Sequence, residues 1–510
     1  MGRGRRLIMT TLHNPLVNGF HPDPSIVAVD GWYYLATSTF EYLPGIPIHR
    51  SKDFETWELI GHVATRPGQL GAESVPTGGG AWAPTIRHHD GRFHLVITDA
   101  MGRGMLHFTA DDAAGPWSDG DLIVMADGSE SVFGIDPDIA WDADGTCYIT
   151  FSGLLLSGDL DPNAPTHLGI QQVRVDLDTH TALEAPRSLW SGTGLMFPEA
   201  PHLYEIDGSW YLMIAEGGTE RGHAISIARG DGPEGPFEGA PGNPLVSARS
   251  TPRPIQNTGH GDLVVGPDGR WLCVLLGVRP RSGTRAFSAL GRETFVTEVT
   301  WRDGWPGIAP VELNPRPGTR VDVDFSAPLD AEWISVRRFP DEVCRRDDGR
   351  LVLTADGSTL ADARPVFVGR RQEHLTNEVT VRLDVSAGTG GLAVRYDERF
   401  FVEIEADGQS VTARAHIGGL LQEWTAAAAS NVVDLHLASR PPQAAAAMVT
   451  TSDEFHLAAT VDGTRIDLAR VDGRFLSSEV TESFTGRVIG VYAVSGEVAV
   501  SSWVAEGHDG

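Results

Sequence analysis

A chain of 510 residues is too long for one hydrophobic core, because cores stop growing at about 250 to 300 residues, so the length predicts at least two domains. Its 40 basic and 68 acidic side chains give a formal net charge of −28, which repels phosphate backbones and anionic lipids and argues against nucleic acid or membrane partners. No apolar run approaches the roughly 20 residues that cross a bilayer, and the 59 glycines and 32 prolines indicate many turns.

The N-terminus and the cysteines bear on location. The start MGRGRRLIMTTLHNP is basic, but its apolar run ends after Leu7, Ile8 and Met9, so it lacks the hydrophobic region of a secretory signal. The cysteines are odd in number, far apart and outside any CxxC pair; they are Cys147, Cys273 and Cys344. We therefore predict buried, reduced thiols and a cytoplasmic location.

One phrase recurs five times in the first 310 residues: Asp-Gly, a variable residue and a strand-like run. The copies begin at Asp30, Asp90, Asp144, Asp207 and Asp268. Asp-Gly favours the type I′ turn of a β-hairpin, and the aromatic and β-branched residues that follow favour a strand. Flanking strand candidates bring each unit to about four strands. The repeat therefore predicts an all-β, five-bladed β-propeller over residues 10–317, and the absence of long helical patterns disfavours a TIM barrel.

Equivalent positions at the start of each innermost strand should converge on the propeller channel. Seven or eight residues before the turn aspartates stand Asp23, Trp82, Asp136, Glu199 and His260, and prolines beside the first four are typical of strand entrances. Three carboxylates in one funnel repel one another unless their pKa values separate or a cation lies between them. Glycoside hydrolysis requires one protonated and one ionised carboxyl. The alternative is that these acids cap loops and form turns.

Three residues each have a binding and a structural interpretation, namely Trp82, His260 and Arg292. Trp82 is either a sugar platform or core filling. His260 is either a buried, hydrogen-bonded imidazole or a ligand to an axial cation or water. Arg292, in the stretch GRETF, either contacts carboxylates and a substrate hydroxyl or forms a structural salt bridge.

These residues lie in segments that resemble glycoside hydrolase family 43, and more narrowly its two-domain β-xylosidases and α-L-arabinofuranosidases. The resemblance runs in order from Asn14 to about Pro306. The segments are NPLVNGFHPDPSI, ATSTFEYLPGIPIHRSKDFETWELIGHV, GGAWAPTI, PEAPHLYEIDGSWYLMIAEGGT, IQNTGHGDLV and LGRETF.

The resemblance implies an inverting displacement with Asp23 as the base, Glu199 as the acid and Asp136 as the residue that tunes the pKa of the acid. Many related xylosidases read Thr-Glu-Gly-Pro and Phe-Asp-Ala-Ser where this chain has Pro-Glu-Ala-Pro and Ile-Asp-Pro-Asp, so sugar preference stays open, and Asp138 is a lower-ranked candidate for the tuning role. The substrate-binding residues implied by the resemblance are Phe40, Trp82, His260 and Arg292.

Residues 320–510 lose the fixed spacing and show alternating strands, which predicts a β-sandwich accessory domain. The resemblance implies a concanavalin-like jelly roll that sends a loop toward the active-site mouth. Phe484, in ESFTG, is a candidate for that loop, although core packing is the favoured interpretation.

We therefore expect an exo-acting glycoside hydrolase that removes terminal pentose from short oligosaccharides, with β-1,4-xylosidase activity ranked ahead of α-L-arabinofuranosidase. A non-catalytic carbohydrate-binding propeller is the alternative from another class. No organic cofactor is required. A calcium ion or other cation near His260 and a homo-oligomeric state are both left open by the sequence.

Overall fold

The structure, a computed structural model, describes residues 11–128, 130–154, 167–282, 286–442 and 450–509. Within these ranges the first part of the chain forms five antiparallel sheets, one for each repeat unit, and the second part forms one large sheet. The innermost strands contact one another in a closed ring, blade 1 to blade 5 and back to blade 1. The predicted five-bladed propeller and sandwich are confirmed.

The blades follow the repeat in chain order. Blade 1 consists of Ser25–Val29, Trp32–Ala36, Gly45–Ser51 and Glu58–Ala64. Blade 2 consists of Gly80–Ala81, Thr85–His89, Arg92–Ala100, Gly104–Ala110 and Asp121–Leu122. Blade 3 consists of Ile135–Trp141, Cys147–Leu154, His167–Asp176, Thr181–Ala182 and Arg187–Trp190. Blade 4 consists of Glu199–Ile206, Ser209–Glu216, Ala224–Gly230 and Glu238–Gly239. Blade 5 consists of Gln256–Val265, Trp271–Val278, Glu293–Arg302 and Trp305–Ile308.

The Asp-Gly turns join the innermost strand of every blade to the next strand along the chain, but they are of two kinds. At Asp30, Asp90 and Asp207 both the aspartate and the following glycine have positive φ, as type I′ requires. At Asp144 and Asp268 only the glycine does, because these hairpins close over three residues, with Asp142 N–H donating to the Thr146 carbonyl in blade 3. The hairpins are as predicted, and the single turn type is wrong for blades 3 and 5.

The N-terminal segment joins the first and last blades. Asn14 forms an isolated bridge with Asn314, and its side-chain amide donates to the Val296 carbonyl at 2.8 Å in blade 5. In the channel, Asp262 of blade 5 accepts the Ile26 N–H of blade 1 at 2.9 Å. These contacts close the ring, and the apolar cores lie between neighbouring blades.

The second domain is a sandwich built around two long strands that bend at register shifts, so each pairs with several neighbours. Its strands are Thr319–Val323, Cys344–Asp347, Arg350–Thr354, Phe367–Arg371, Thr376–Arg395, Phe400–Ala406, Ser410–Ile417, Leu420–Ala427, Val432–Arg440, Glu454–Val461, Thr464–Asp472 and Val488–His508. A further strand, Ser335–Val336, pairs with Tyr42–Leu43 of the propeller and ties the domains together.

Helices are short. They are Pro340–Val343, Ser478–Thr481 and the 3-10 turn Gly473–Leu476. Nowhere in the described ranges is there a helix whose length and hydropathy would let it cross a bilayer. The three cysteines are free thiols; Cys147 and Cys273 are buried as predicted, whereas Cys344 is only partly buried.

Candidate active site

The innermost strands are irregular at one end of the channel. In blade 2, residues 82–84 separate the two short segments that pair with the second strand. In blades 3 and 4 the pairing register shifts just after Ile135 and Glu199, and in blade 5 it shifts on both sides of Gly259. Prolines at these entrances have no N–H to give to the ladder, and such bulges turn side chains out of the regular alternation. Trp82, Asp136, Glu199 and His260 lie at these irregularities.

All seven site residues predicted from the sequence line one cavity of about 390 Å³ at this end of the channel. The cavity therefore brings together side chains from all five blades. Those seven are Asp23, Phe40, Trp82, Asp136, Glu199, His260 and Arg292.

Both carboxyl oxygens of Asp23 are hydrogen-bonded. Asp23 is 5% exposed, and its two oxygens accept from Ser38 Oγ at 2.6 Å and from Arg292 Nη1 at 3.0 Å. A hydrogen bond between a guanidinium and a carboxyl oxygen is among the stronger ones in proteins. Asp23 is therefore fixed in place at the wall of the cavity.

The surroundings of Glu199 and Asp136 raise the pKa values of both carboxyls. Burial and the nearby charges of Asp136 and Asp23 raise the pKa of Glu199 well above its ordinary value, against the opposing effect of Arg292. Burial and the charge of Asp23 raise the pKa of Asp136 to about 7, although its carboxylate accepts the Ala200 N–H at 3.1 Å. Two such carboxyls bind one proton strongly between them.

The imidazole of His223 lies next to Glu199 and bears on the protonation of that carboxyl. Its Nδ1 is 3.0 Å from the Asn257 carbonyl, which can only accept, so Nδ1 carries the hydrogen. Burial lowers the pKa of His223 to about 4, so the ring is neutral and Nε2 can only accept. Nε2 is 4.0 Å from Glu199 Oε1 and has no hydrogen-bond partner among the described residues. The surroundings of Glu199 therefore favour a protonated carboxyl, as an acid needs.

Arg292 and His260 flank Asp23. The Arg292 guanidinium contacts Asp23, Thr219 Oγ1 at 3.1 Å and the Phe484 carbonyl at 3.4 Å, so it both forms a salt bridge and faces the cavity. His260 Nδ1 is 3.7 Å from Asp23 Oδ1, and burial lowers the pKa of His260 to about 3. The imidazole is therefore neutral beside the Asp23 carboxylate.

An aromatic wall, formed by Phe40, Trp82 and Phe484, closes one side of the cavity. Phe484 stacks on Phe40 with ring centroids 5.9 Å apart and meets Trp82 edge-on at 5.7 Å. It is 38% exposed and lines the cavity, so the favoured interpretation of Phe484 as a core residue is wrong and the loop interpretation is correct. Trp82 both packs against a buried cluster and lines the cavity.

Several lining residues were missed from the sequence. Met196 and Phe197 precede the Pro198-Glu199 entrance, and Thr219 follows the second strand of blade 4. Thr219 stands in the segment EGGT, which was quoted only for its family likeness. Ser38, which donates to Asp23, belongs to the Ser-Thr-Phe segment that ends at Phe40. These residues carried no repeat signal, because they lie on loops between blade strands.

Asp138 lies away from the cavity lining. It is fully buried and accepts from Arg87 Nη2 at 2.9 Å and from the Leu203 N–H at 2.9 Å. Arg87 also donates to Asp262 at 2.8 Å, so it bridges blades 2, 3 and 5 within the channel. The lower rank given to Asp138 as a tuning residue agrees with this placement.

The surroundings of His260 do not match a calcium site. Calcium takes six to eight oxygen ligands, whereas the titratable neighbours of His260 are two imidazoles, His202 and His223, besides Asp23 and Arg292, which pair with each other. Across the described ranges no three carboxylate, imidazole or thiol groups are placed to hold a metal ion.

A channel-mouth cavity that holds three carboxyl groups, one paired with an arginine and two with raised pKa values, is the arrangement expected of a glycoside hydrolase. The sequence model described as "Glycosyl hydrolases family 43" matches residues 12–306, and "Beta xylosidase C-terminal Concanavalin A-like domain" matches residues 322–505. The chain belongs to glycoside hydrolase family 43.

Relatives span most of the chain. A non-reducing end α-L-arabinofuranosidase of Bacteroides ovatus is 34% identical, covering 96% of this chain and 92% of its own. A putative β-xylosidase of Escherichia coli is 36% identical over 78% of this chain and 80% of its own. The crystal structure of a xylan β-1,4-xylosidase from Bacillus halodurans superposes with a TM-score of 0.85 at 27% identity, covering 97% of this chain and 100% of that one.

Proposed function

We propose that the protein is an inverting exo-glycosidase that releases a terminal pentose from short xylo-oligosaccharides or arabinoxylo-oligosaccharides, with β-1,4-xylosidase as its activity and α-L-arabinofuranosidase as the alternative. The observation that carries the proposal is the single cavity in which arginine-paired Asp23 faces the carboxyls of Asp136 and Glu199. The names of the relatives, which include both activities, support the pentose class.

In the proposed reaction Asp23 takes a proton from a water molecule whose oxygen attacks the anomeric carbon. The bond from that carbon to the leaving oxygen breaks, and Glu199 gives its proton to that oxygen. Asp136 keeps the pKa of Glu199 high by its charge and holds the Ala200 N–H beside it. The configuration at the anomeric carbon inverts. A first-formed product with retained configuration in NMR would contradict this.

The exo mode is supported by the wall that the second domain adds. Phe484 lies on the cavity, and Gly78 of the propeller lies against it, since a Cβ on Gly78 would be 3.6 Å from the Phe484 ring. A cavity of about 390 Å³ is near the small end of ligand pockets, which suits one sugar ring at a chain end.

The sugar preference is tested with two substrates. We expect faster turnover of 4-nitrophenyl β-D-xylopyranoside than of 4-nitrophenyl α-L-arabinofuranoside under matched conditions. The reverse order assigns the enzyme to the arabinofuranosidases. Binding of pentose without turnover of either substrate would support the non-catalytic propeller.

The catalytic roles are tested by Asp23→Asn and Glu199→Gln. Each removes one proton-transfer group while keeping the side-chain shape, so we expect kcat to fall by about 10²-fold to 10⁴-fold with pentose binding retained. Asp90→Asn is the matched control, because Asp90 occupies an exposed turn with positive φ that asparagine also tolerates. Wild-type turnover by either cavity variant would remove that residue from the mechanism.

Three further predictions accompany the proposed activity: a cytoplasmic location, a homo-oligomeric state and a cation near His260. Cell fractionation, light scattering, and activity after dialysis against a chelator test them in turn. We expect the chelator to leave kcat unchanged, because the proposed steps use side chains alone.

A further inference from the structure

A buried ionic network lies at the domain interface behind the aromatic wall. Its centre is Arg337, which is 2% exposed and follows the interdomain strand Ser335–Val336. The guanidinium donates to the Val75 carbonyl at 2.7 Å and to Thr77 Oγ1 at 3.3 Å, both in the propeller. On the sandwich side it donates to Glu398 Oε1 at 2.6 Å. Arg337 therefore spans the interface.

Two carboxylates complete the hold on residues 75–78 of the propeller. Glu398 also accepts from the Thr77 hydroxyl at 2.5 Å. Glu41, which is fully buried, accepts the Gly78 N–H at 3.1 Å through its side chain and the Arg337 N–H at 2.9 Å through its carbonyl. The segment is thus held at Val75, Thr77 and Gly78.

Residues 75–78 include the hydrogen-bond acceptor of the Trp82 indole, the proposed sugar platform. The indole N–H of Trp82 donates to the Gly78 carbonyl at 2.7 Å. Beyond Gly78, Ala81 forms a two-way backbone bridge with Phe40 at 3.0 Å in each direction. A displacement of residues 75–78 would therefore move the hydrogen bond that orients the Trp82 ring, while the Phe40–Ala81 bridge would still hold the backbone nearby.

We infer that Arg337 and Glu398 of the sandwich are positioning residues for sugar binding, because they fix the segment whose Gly78 carbonyl orients Trp82. The inference rests on the proposed function, in which Trp82 contacts the pentose. A buried ion pair is weak evidence for stability by itself, since desolvation offsets much of its attraction. Geometric control of a ring in the cavity is a role that the network can perform independently of stability.

The test compares Glu398→Gln and Thr77→Val with a control at the same interface. Thr77 is exposed, so Thr77→Val removes the hydroxyl bridge without burying an unpaired charge. The control is Asp509→Asn, which breaks the interdomain pair between Asp509 and Arg279 at 2.9 Å, away from residues 75–78. The readouts are KM and kcat on the better pentoside, the inhibition constant of free pentose, and Tm.

We expect Glu398→Gln and Thr77→Val to raise KM and the pentose inhibition constant together by about fivefold, with kcat within about twofold of wild type, because a misplaced ring weakens binding more than proton transfer. Asp509→Asn should lower Tm and leave KM unchanged. Unchanged KM in both test variants, whatever their Tm, overturns the inference and leaves the proposed function intact. A wild-type protein that neither binds nor hydrolyses pentosides overturns both.

Discussion

Residue by residue, the site separates three carboxyl groups by their surroundings. Asp23 has a guanidinium and a hydroxyl as partners, whereas Glu199 has a neutral imidazole and two other acids nearby. Burial and the two neighbouring acids favour the protonated form of Glu199, whereas the carboxyl of Asp23 is engaged in a salt bridge with Arg292. Arg292 acts more directly on Asp23, its hydrogen-bonded partner, than on the other two acids.

One prediction at this scale concerns the pH profile. In the proposed mechanism Glu199 gives a proton to the leaving oxygen, so we expect activity to fall as pH rises through the pKa of Glu199 in the folded protein, and this pKa then sets the basic limb of kcat/KM. The charge of Asp136 is one cause of the raised pKa. Asp136→Asn removes that charge, so the basic limb of the residual activity should move to lower pH by about one unit. The measurement is the pH dependence of kcat/KM.

Asp138→Asn is the control for this shift. Asp138 is a buried acid two residues along the same strand, and its carboxylate is committed to Arg87 and the Leu203 backbone. The basic limb should therefore stay in place in Asp138→Asn, even where stability falls. A shift in Asp138→Asn but not in Asp136→Asn would exchange the roles of the two aspartates.

The residue scale is also where the sequence was most informative. The five repeat-equivalent positions fall on one channel because each stands seven or eight residues before an Asp-Gly turn, and the strands that lead into these turns are innermost in every blade. The offset could not reveal Ser38 or His223, since neither occupies a repeated position. Their contacts with Asp23 and Glu199 depend on loop paths and on the packing of neighbouring blades.

At the scale of elements, the function depends on where inner strands stop being regular. Proline interrupts pairing at the entrances of blades 2, 3 and 4, whereas blade 5 uses glycines around His260. Composition therefore predicted the entrances in the first four blades. It gave no reason to expect the bulge in blade 5, nor the two three-residue turns, because both arise from how each hairpin fits its neighbours.

A substitution at Gly80 tests the backbone bridge between Phe40 and Ala81, because Gly80 lies against the Phe40 backbone. Gly80 has φ +92°, and a Cβ there would lie 2.3 Å from the Phe40 carbonyl oxygen, which is backbone and cannot move aside cheaply. Gly80→Ala should lower the free energy of unfolding by about 2 to 4 kcal/mol, through left-handed strain of about 1 to 2 kcal/mol plus the clash, and should raise KM by displacing Phe40. Urea unfolding and steady-state kinetics measure the two effects.

Gly91→Ala separates strain from clash. Gly91 has φ +76° in a blade 2 turn, and nothing lies within 4 Å of a Cβ built on it. It should lose only the strain, about 1 to 2 kcal/mol, and keep its KM. Equal losses in the two variants would show that the Phe40 bridge tolerates the added carbon.

On the scale of the whole molecule, two domains share one site. The alternating strands after residue 320 predicted the sandwich, but a pattern of strands cannot say which loop reaches the neighbouring domain. The position of Phe484 depends on how the domains dock, through the pairing of Ser335–Val336 with Tyr42–Leu43. For that reason the sequence favoured core packing for a side chain that instead faces the cavity.

Phe484→Ala tests this division of labour. The ring contacts Phe40 and Trp82, and the Arg292 guanidinium carbon lies 5.4 Å from its centroid, so its loss opens the wall at three contacts. Because an aromatic face contributes about 0.5 to 1.5 kcal/mol beyond the area it buries, we expect kcat/KM to fall by about 2-fold to 13-fold, mostly through KM. Tm should change little, since the side chain is 38% exposed.

The matched variant is Leu420→Ala, a 75% exposed apolar side chain of the same domain that is absent from the cavity lining. It should match wild type in KM, kcat and Tm, because an exposed side chain away from substrate contributes little to either. If Phe484→Ala also matched wild type, the propeller alone would suffice to bind the sugar. A fall in kcat/KM confined to Phe484→Ala, with Tm retained, would instead show that the sandwich contributes a wall of the active site.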